Sequence, residues 1–204
     1  MRARKIILIP AAETYEDVGY GITDIGNKNL TKIGIDNALL SGKILKAILG
    51  FGKIHIALSK DIPVMHTYNL MIPYFTSSNN FKITGTTTAP STSGEEWERF
   101  FATKQLNHYD STQRKNMLLS TMEAYMHATL RFMDDDPMLL AMIIIVSKIA
   151  VKAFLAAFCR WSTDEFDQIR NPEPCELIML IQRNYQNFVL ESDFSSQRSI
   201  FMLS

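Results

Sequence analysis

A chain of 204 residues with 47% apolar and 21% charged residues can bury a sizeable core and is too apolar for a disordered segment. Its 21 basic residues balance 21 acidic ones, so no net field draws it toward nucleic acid or an anionic bilayer. Cys159 and Cys175 match no zinc or redox spacing and are expected to be buried thiols, with no metal or cofactor called for.

In chain order, the basic start Met1–Lys5 leads into an apolar run too short for a signal-peptide core, so no removable leader is expected. The compartment is not legible beyond an intracellular setting, for which the basic start makes a mitochondrial assembly one option. Ile6-Ile7-Leu8-Ile9 has no polar alternation and predicts a strand covered on both faces. It ends at Pro10-Ala11-Ala12-Glu13-Thr14, where an open α/β sheet would place its ligand site. A polar loop with Gly19, Gly21 and Gly26 follows. From Leu30 to Leu49 the apolar residues Ile33, Leu40, Ile44, Leu45 and Ile48 predict the buried face of a helix, with Thr31 as N-cap and Gly50 and Gly52 as its end. Gly34, Ala38 and Gly42 form a small-residue stripe that predicts close approach to another backbone, most simply the sheet. Ile54–Leu58 predicts a second strand, paired in parallel with the first through a βαβ crossover, and Ser59-Lys60-Asp61 starts another helix.

Residues 76–94 read mainly as a polar loop, with a short strand at Phe81–Thr84. Helices are expected over Glu95–Arg99 and Thr112–Met133, the latter stopped by Asp134-Asp135-Asp136-Pro137, a solvated turn without metal-ligand spacing. Met138–Phe158 is long enough to raise the question of a membrane span, but Lys148 and Lys152 interrupt it and its character changes at Val146-Ser147. Ala141–Val146 therefore predicts a strand and Ile149–Phe158 a helix capped by Ser147, with no transmembrane segment. Glu176–Gln182 and Asn187–Leu190 predict two late strands. The expected fold class is α/β, a mainly parallel sheet with helices on both faces, in a single domain of residues 1–194. Residues 195–204 form a tail whose apolar cluster Ile200, Phe201, Met202 and Leu203 either docks on a partner or folds back on its own domain.

The order of these pieces resembles the histidine phosphatase superfamily, with its phosphoglycerate-mutase-like fold. The family's strand ending R-H-G-E-T is matched by Pro10-Ala11-Ala12-Glu13-Thr14, and its L-T-x-x-G-x-x-Q-A by Leu30-Thr31, Gly34 and Asn37-Ala38. Its S-x-x-x-R-A-x-Q-T resembles Ser59–Thr67, and its V-S-H-G resembles Val146-Ser147-Lys148-Ile149. A faint echo of the family's late asparagine segment lies in Asn171–Leu177. The resemblance implies that Pro10 and Pro63 stand where two phosphate-gripping arginines belong, Ala11 where the nucleophilic histidine belongs, and Lys148 where a second histidine belongs. Alanine cannot form a phosphoenzyme, and proline offers none of the guanidinium donors that fit phosphate.

The expectation is a catalytically inactive, histidine-phosphatase-like pseudoenzyme, a structural or scaffolding subunit held by other proteins in a complex. Zero net charge with 11 Met and 12 Phe is in keeping with association. A phospho-ligand-binding regulatory module is the alternative, with a weak anion site at Ser147, Lys148 and Lys60 near helix N-termini. Against it, Lys148 would fill the emptied pocket and pair with Glu13 or Asp61. A second alternative is a phosphatase or mutase with a rebuilt site around His66, the best placed of His55, His66, His108 and His127.

Overall fold

The computed structural model of the protein describes residues 3–19, 29–49, 52–76, 81–90, 111–184 and 187–191. Strands β1 (Lys5–Pro10), β2 (Gly52–Leu58), β3 (Phe81–Thr88), β4 (Leu139–Val146), β5 (Ile178–Asn184) and β6 (Asn187–Leu190) form one sheet in the order β3-β2-β4-β1-β5-β6. The first four strands pair in parallel, whereas β5 lies antiparallel to β1 and β6 antiparallel to β5. Helices α1 (Lys32–Leu49) and α2 (Ile62–Thr76) pack together on one face of the sheet. Helices α3 (Ser111–Asp135) and α4 (Lys148–Cys159) pack together on the other, with the short α5 (Thr163–Gln168) behind α4.

The unbroken apolar reading of β1 follows from its place between two cores. Ile6 and Leu8 enter the core under α3 and α4, Ile7 and Ile9 the core under α1 and α2, and all four are fully buried. Burial of each contributes roughly 1.5–3 kcal/mol, enough to hold the strand central against its ordering cost. Met142, Ile144 and Val146 of β4 join the first core and Ala141, Ile143 and Ile145 the second.

Five sequence expectations need correction. β1 and β2 run in the same direction but are not neighbours, because the more uniformly apolar β4 lies between them and takes the most covered position. β3 extends through Thr88 inside what reads as a polar loop; as an edge strand it is half solvated and accommodates Thr86, Thr87 and Thr88 with exposed side chains. Gly52 opens β2 and does not close α1. Finally, α1 does not bury Ile33, Leu40 and Ile44: they are exposed, and the buried stripe is Gly34, Ala38, Ser41, Gly42, Leu45 and Leu49. That stripe achieves close approach, but not to the sheet. A methyl group on Gly34 would stand 2.2 Å from the carbonyl oxygen of Glu13, and one on Gly42 would meet Tyr74 and Met71 of α2.

The caps at Thr31 and Ser147 form as expected, each side-chain oxygen accepting a backbone N–H from Gly34 and Ala150 respectively. The acidic turn is bound up with cations, Asp134 with Arg4 at 3.8 Å and Asp136 with Lys53 at 3.6 Å. Lys152 is buried with its ammonium 4.8 Å from the Phe166 ring centroid, and no helix among the described residues is long and apolar enough to cross a membrane. The sequence reading passes over α5, although Ser162-Thr163-Asp164-Glu165 spells the capping box that starts it. The expected helix at Glu95–Arg99, His108 and the tail 195–204 lie outside the described residues.

Candidate functional site

The carboxyl ends of β1, β4 and β2 lie side by side. Ala11 N–H donates to the Val146 carbonyl at 2.9 Å and Ser59 N–H to the Ile145 carbonyl at 3.2 Å, which aligns the three strand ends. α1 follows β1 and α2 follows β2 on one face while α4 follows β4 on the other, so the strand ends beside β4 are the switch point at which open α/β sheets place their ligand crevice. Pro10, Ala11, Ser147 and Lys148 meet there. Pro63 belongs to the same region: Thr67, one turn on, donates to the Pro63 carbonyl at 2.7 Å and accepts the Ala12 N–H at 2.9 Å.

Several polar groups at these strand ends are engaged by neighbours. Thr31 donates its hydroxyl to the Glu13 carboxylate at 2.6 Å and its N–H to the Glu13 carbonyl at 3.0 Å, locking the loop after β1 to the start of α1. The Ser59 hydroxyl donates to Asp61 at 2.7 Å. Lys148 does remain beside the crevice, but its partner is neither Glu13 nor Asp61. Its ammonium lies 2.7 Å from the Asp17 carboxylate, which also accepts the N–H and hydroxyl of Thr14 at 2.8 and 2.9 Å. Thr14 through Asp17 is a tight polar turn in which Asp17 N–H returns a hydrogen bond to the Thr14 hydroxyl. The signal for Asp17 was this Thr-x-x-Asp spacing, which the strand and helix motifs overshadow.

Burial, the largest single influence on Asp17, pushes its carboxyl upward; hydrogen bonds from Lys148 and Thr14 with the Lys148 charge outweigh it and hold the group below its ordinary 3.8. A depressed carboxyl contributes stability above its unfolded value and loses it as pH falls through the folded one. Asp17→Asn is therefore expected to lower stability at neutral pH by less than about 1 kcal/mol, as partly exposed pairs do. In denaturation series against pH, the gap from the unsubstituted protein should close below pH 4; a gap that persists in acid would show that Asp17 acts through packing and not through its charge.

Cys175 is a residue that the sequence reading placed nowhere near the site. Its N–H donates to the Pro10 carbonyl at 3.1 Å, its carbonyl accepts from the Ser41 hydroxyl at 2.9 Å, and its backbone is left-handed with φ of 60°. Burial pushes its thiol up to about 12, so it stays protonated and is a poor nucleophile. His66 lines a groove of about 410 Å³ between α1 and α2 with Asn29, Leu30, Ile35, Asn69 and Leu70. Lys60 is exposed beyond the end of β2, and Ser147 uses its hydroxyl to cap α4.

No family profile and no curated protein matches the sequence. Solved structures match it along nearly its whole length. A mycobacterial glucosyl-3-phosphoglycerate phosphatase superposes with a TM-score of 0.63 at 8% identity, covering 93% of this chain and 98% of its own. A phosphoglycerate mutase from Bacillus anthracis gives 0.60 at 11% identity, with 95% of each chain covered. A phosphoserine phosphatase from Entamoeba histolytica gives 0.58 at 16%, covering 93% of this chain and 95% of its own. The fold is phosphoglycerate-mutase-like. On this phosphoglycerate-mutase-like fold, the four positions that the sequence resemblance ties to phosphoryl chemistry hold Pro10, Ala11, Pro63 and Lys148. No side chain at Ala11 can accept a phosphoryl group, and the nearby ammonium is already paired with a carboxylate that would repel phosphate.

Proposed function

We propose that this chain is a catalytically inactive, histidine-phosphatase-like protein that serves as a structural or scaffolding subunit of a larger protein assembly. The single observation that carries the reading is the pair at the strand ends: Ala11 where the resemblance calls for a nucleophile, and Lys148 engaged by Asp17 where it calls for a second histidine. Phosphoryl transfer needs a nucleophile and preorganised positive charge around the moving group, and this crevice is short of both. The three solved structures described above are two phosphatases and a mutase by name, so the departure lies in the residues and not in the scaffold. Support for a binding role comes from the helices on one face, where Ile33, Ile35, Leu40, Ile44, Ile62 and Met65 make up most of the exposed large apolar side chains among the described residues.

Anion binding is a weaker reading, because the charge of Lys148 is spent on Asp17 and Ser147 caps its own helix. Phosphoryl trapping distinguishes inactivity from a rebuilt site. After incubation with a radiolabelled sugar phosphate and denaturation, the protein should retain no label. Acid-labile label that disappears in His66→Ala would establish a phosphohistidine and sink the pseudoenzyme reading.

A further inference from the structure

β3 is an edge strand, and among the described residues it joins the sheet only through β2. The ladder between the two strands breaks opposite His55. Ile54 pairs with Ile83 and Ile56 with Thr86, so the single residue His55 faces two, Thr84 and Gly85. The extra residue makes a bulge in β3 and brings Thr84 and Thr87, three positions apart, to the same imidazole, which a regular alternating strand would not do. Gly85 lies beside the ring, where a methyl group would stand 3.4 Å from Cε1 of His55.

Side chains bridge the gap that the backbone leaves. Nδ1 of His55 lies 3.3 Å from the Thr84 hydroxyl and Nε2 lies 3.1 Å from the Thr87 hydroxyl. The Thr84 hydroxyl donates its one hydrogen to the Ile54 carbonyl at 3.2 Å, so toward His55 it can only accept. Nδ1 therefore carries the proton of the neutral ring, and Nε2 accepts from Thr87. One tautomer alone satisfies all three bonds.

We propose that His55, Thr84 and Thr87 form a pH-sensitive clasp, which holds β3 to the sheet across its bulge and opens when Nε2 is protonated. A proton on Nε2 would meet the hydrogen that Thr87 already donates there, so Thr87 has to turn away. The charge would also sit on a ring only 5% exposed, beside Met142 of β4, with the Phe132 ring of α3 at 4.5 Å and tilted by 53°. β4 carries no charged residue. The charged residues on the other elements around the imidazole are Lys53 of β2, Lys82 of β3, and Arg131, Asp134, Asp135 and Asp136 at the end of α3; Asp134 pairs with Arg4 and Asp136 with Lys53. Burial holds the imidazole below its ordinary 6.5. Once β3 lets go, His55 meets water and regains the ordinary value. As pH falls from 6.5 the open form therefore binds the proton first, and opening gains ground until the pH has passed the lower value of the closed form. Ile83 stays paired before the bulge and Ala89 N–H donates to the Leu58 carbonyl at 2.9 Å after the strand, which confines the release to Thr84–Thr88.

Two measurements on the full chain test the clasp. Long-range proton–nitrogen NMR of His55 at neutral pH should find the proton on Nδ1, and the ring should titrate below 6.5. Thr87→Val, which removes the donor to the neutral ring but leaves the ring in place, should move that midpoint upward. In hydrogen exchange corrected for intrinsic rates, protection of Thr84–Thr88 should fall about 3- to 25-fold between pH 7 and pH 5, the upper figure being the limit for one proton taken up at 6.5. β1 and β4 should keep their protection, and His55→Gln should abolish the pH dependence in β3. A proton on Nε2, a midpoint at or above 6.5 or unmoved by Thr87→Val, constant protection of β3, or a pH dependence that survives His55→Gln would each overturn the proposal.

Discussion

Gly34→Ala is expected to lower stability by about 2 kcal/mol, although the same change in an unencumbered helix would raise it by about 1 kcal/mol. The added methyl carbon would stand 2.2 Å from the Glu13 carbonyl oxygen and 3.0 and 3.1 Å from its backbone nitrogen and carbonyl carbon. Glu13 cannot yield cheaply. Its carbonyl and carboxylate are both held by Thr31, and Ala12 beside it is bonded to Thr67 of α2. For a chain of this size the loss corresponds to roughly 4–8 °C in melting temperature. Gly42→Ala is the control, because its nearest obstacle, at 2.7 Å, is the ring of Tyr74, which can turn aside. It should cost clearly less. A stabilised Gly34→Ala would mean that α1 does not press on the loop after β1 as described.

That contact also shows where sequence reading reaches its limit. The strands β1 and β4 were legible because burial on both faces writes itself as uninterrupted Ile, Leu and Val, and the caps Thr31 and Ser147 because capping is local chemistry. The order of strands was not, since nothing in β1 or β2 records that β4 comes between them. The buried face of α1 was misjudged for a related reason. Hydrophobicity pointed to Ile33, Leu40 and Ile44, whereas the space available next to Glu13 and α2 admits only glycine, alanine and serine on several turns. At the crevice, the motif positions Ala11 and Lys148 could be named from sequence, but Asp17 as the partner of Lys148 and Cys175 as the neighbour of Pro10 depend on a fold that brings residues 131 and 165 positions apart together.

The second large effect is expected in rate. Restoring Ala11→His alone should not create a phosphatase. A histidine there would have a reachable position at the end of β1, yet the phosphoryl group would meet Pro10 and Pro63 where the resemblance calls for arginines, and a lysine already paired with Asp17. Loss of one charge-stabilising donor typically costs roughly 10² to 10³ in rate, so the absence of two or three leaves the nucleophile with little to act on. Combining Ala11→His with Pro10→Arg, Pro63→Arg and Lys148→His is the informative construction. Turnover that appears only in the combined variant would show that the fold still supports the chemistry and that these positions were what silenced it. Robust turnover by Ala11→His alone would show that other cations serve the crevice.

The most direct measurement of the central claim is phosphate release by the unsubstituted protein from 3-phosphoglycerate, a sugar phosphate and a small aryl phosphate. The same preparation of an active histidine phosphatase serves as the positive control. The account predicts release no faster than the uncatalysed background for all three substrates, unchanged in His66→Ala and Lys148→Ala. Release above background that either substitution removes would contradict it, because a working catalytic group would then have been found in a crevice described as having none.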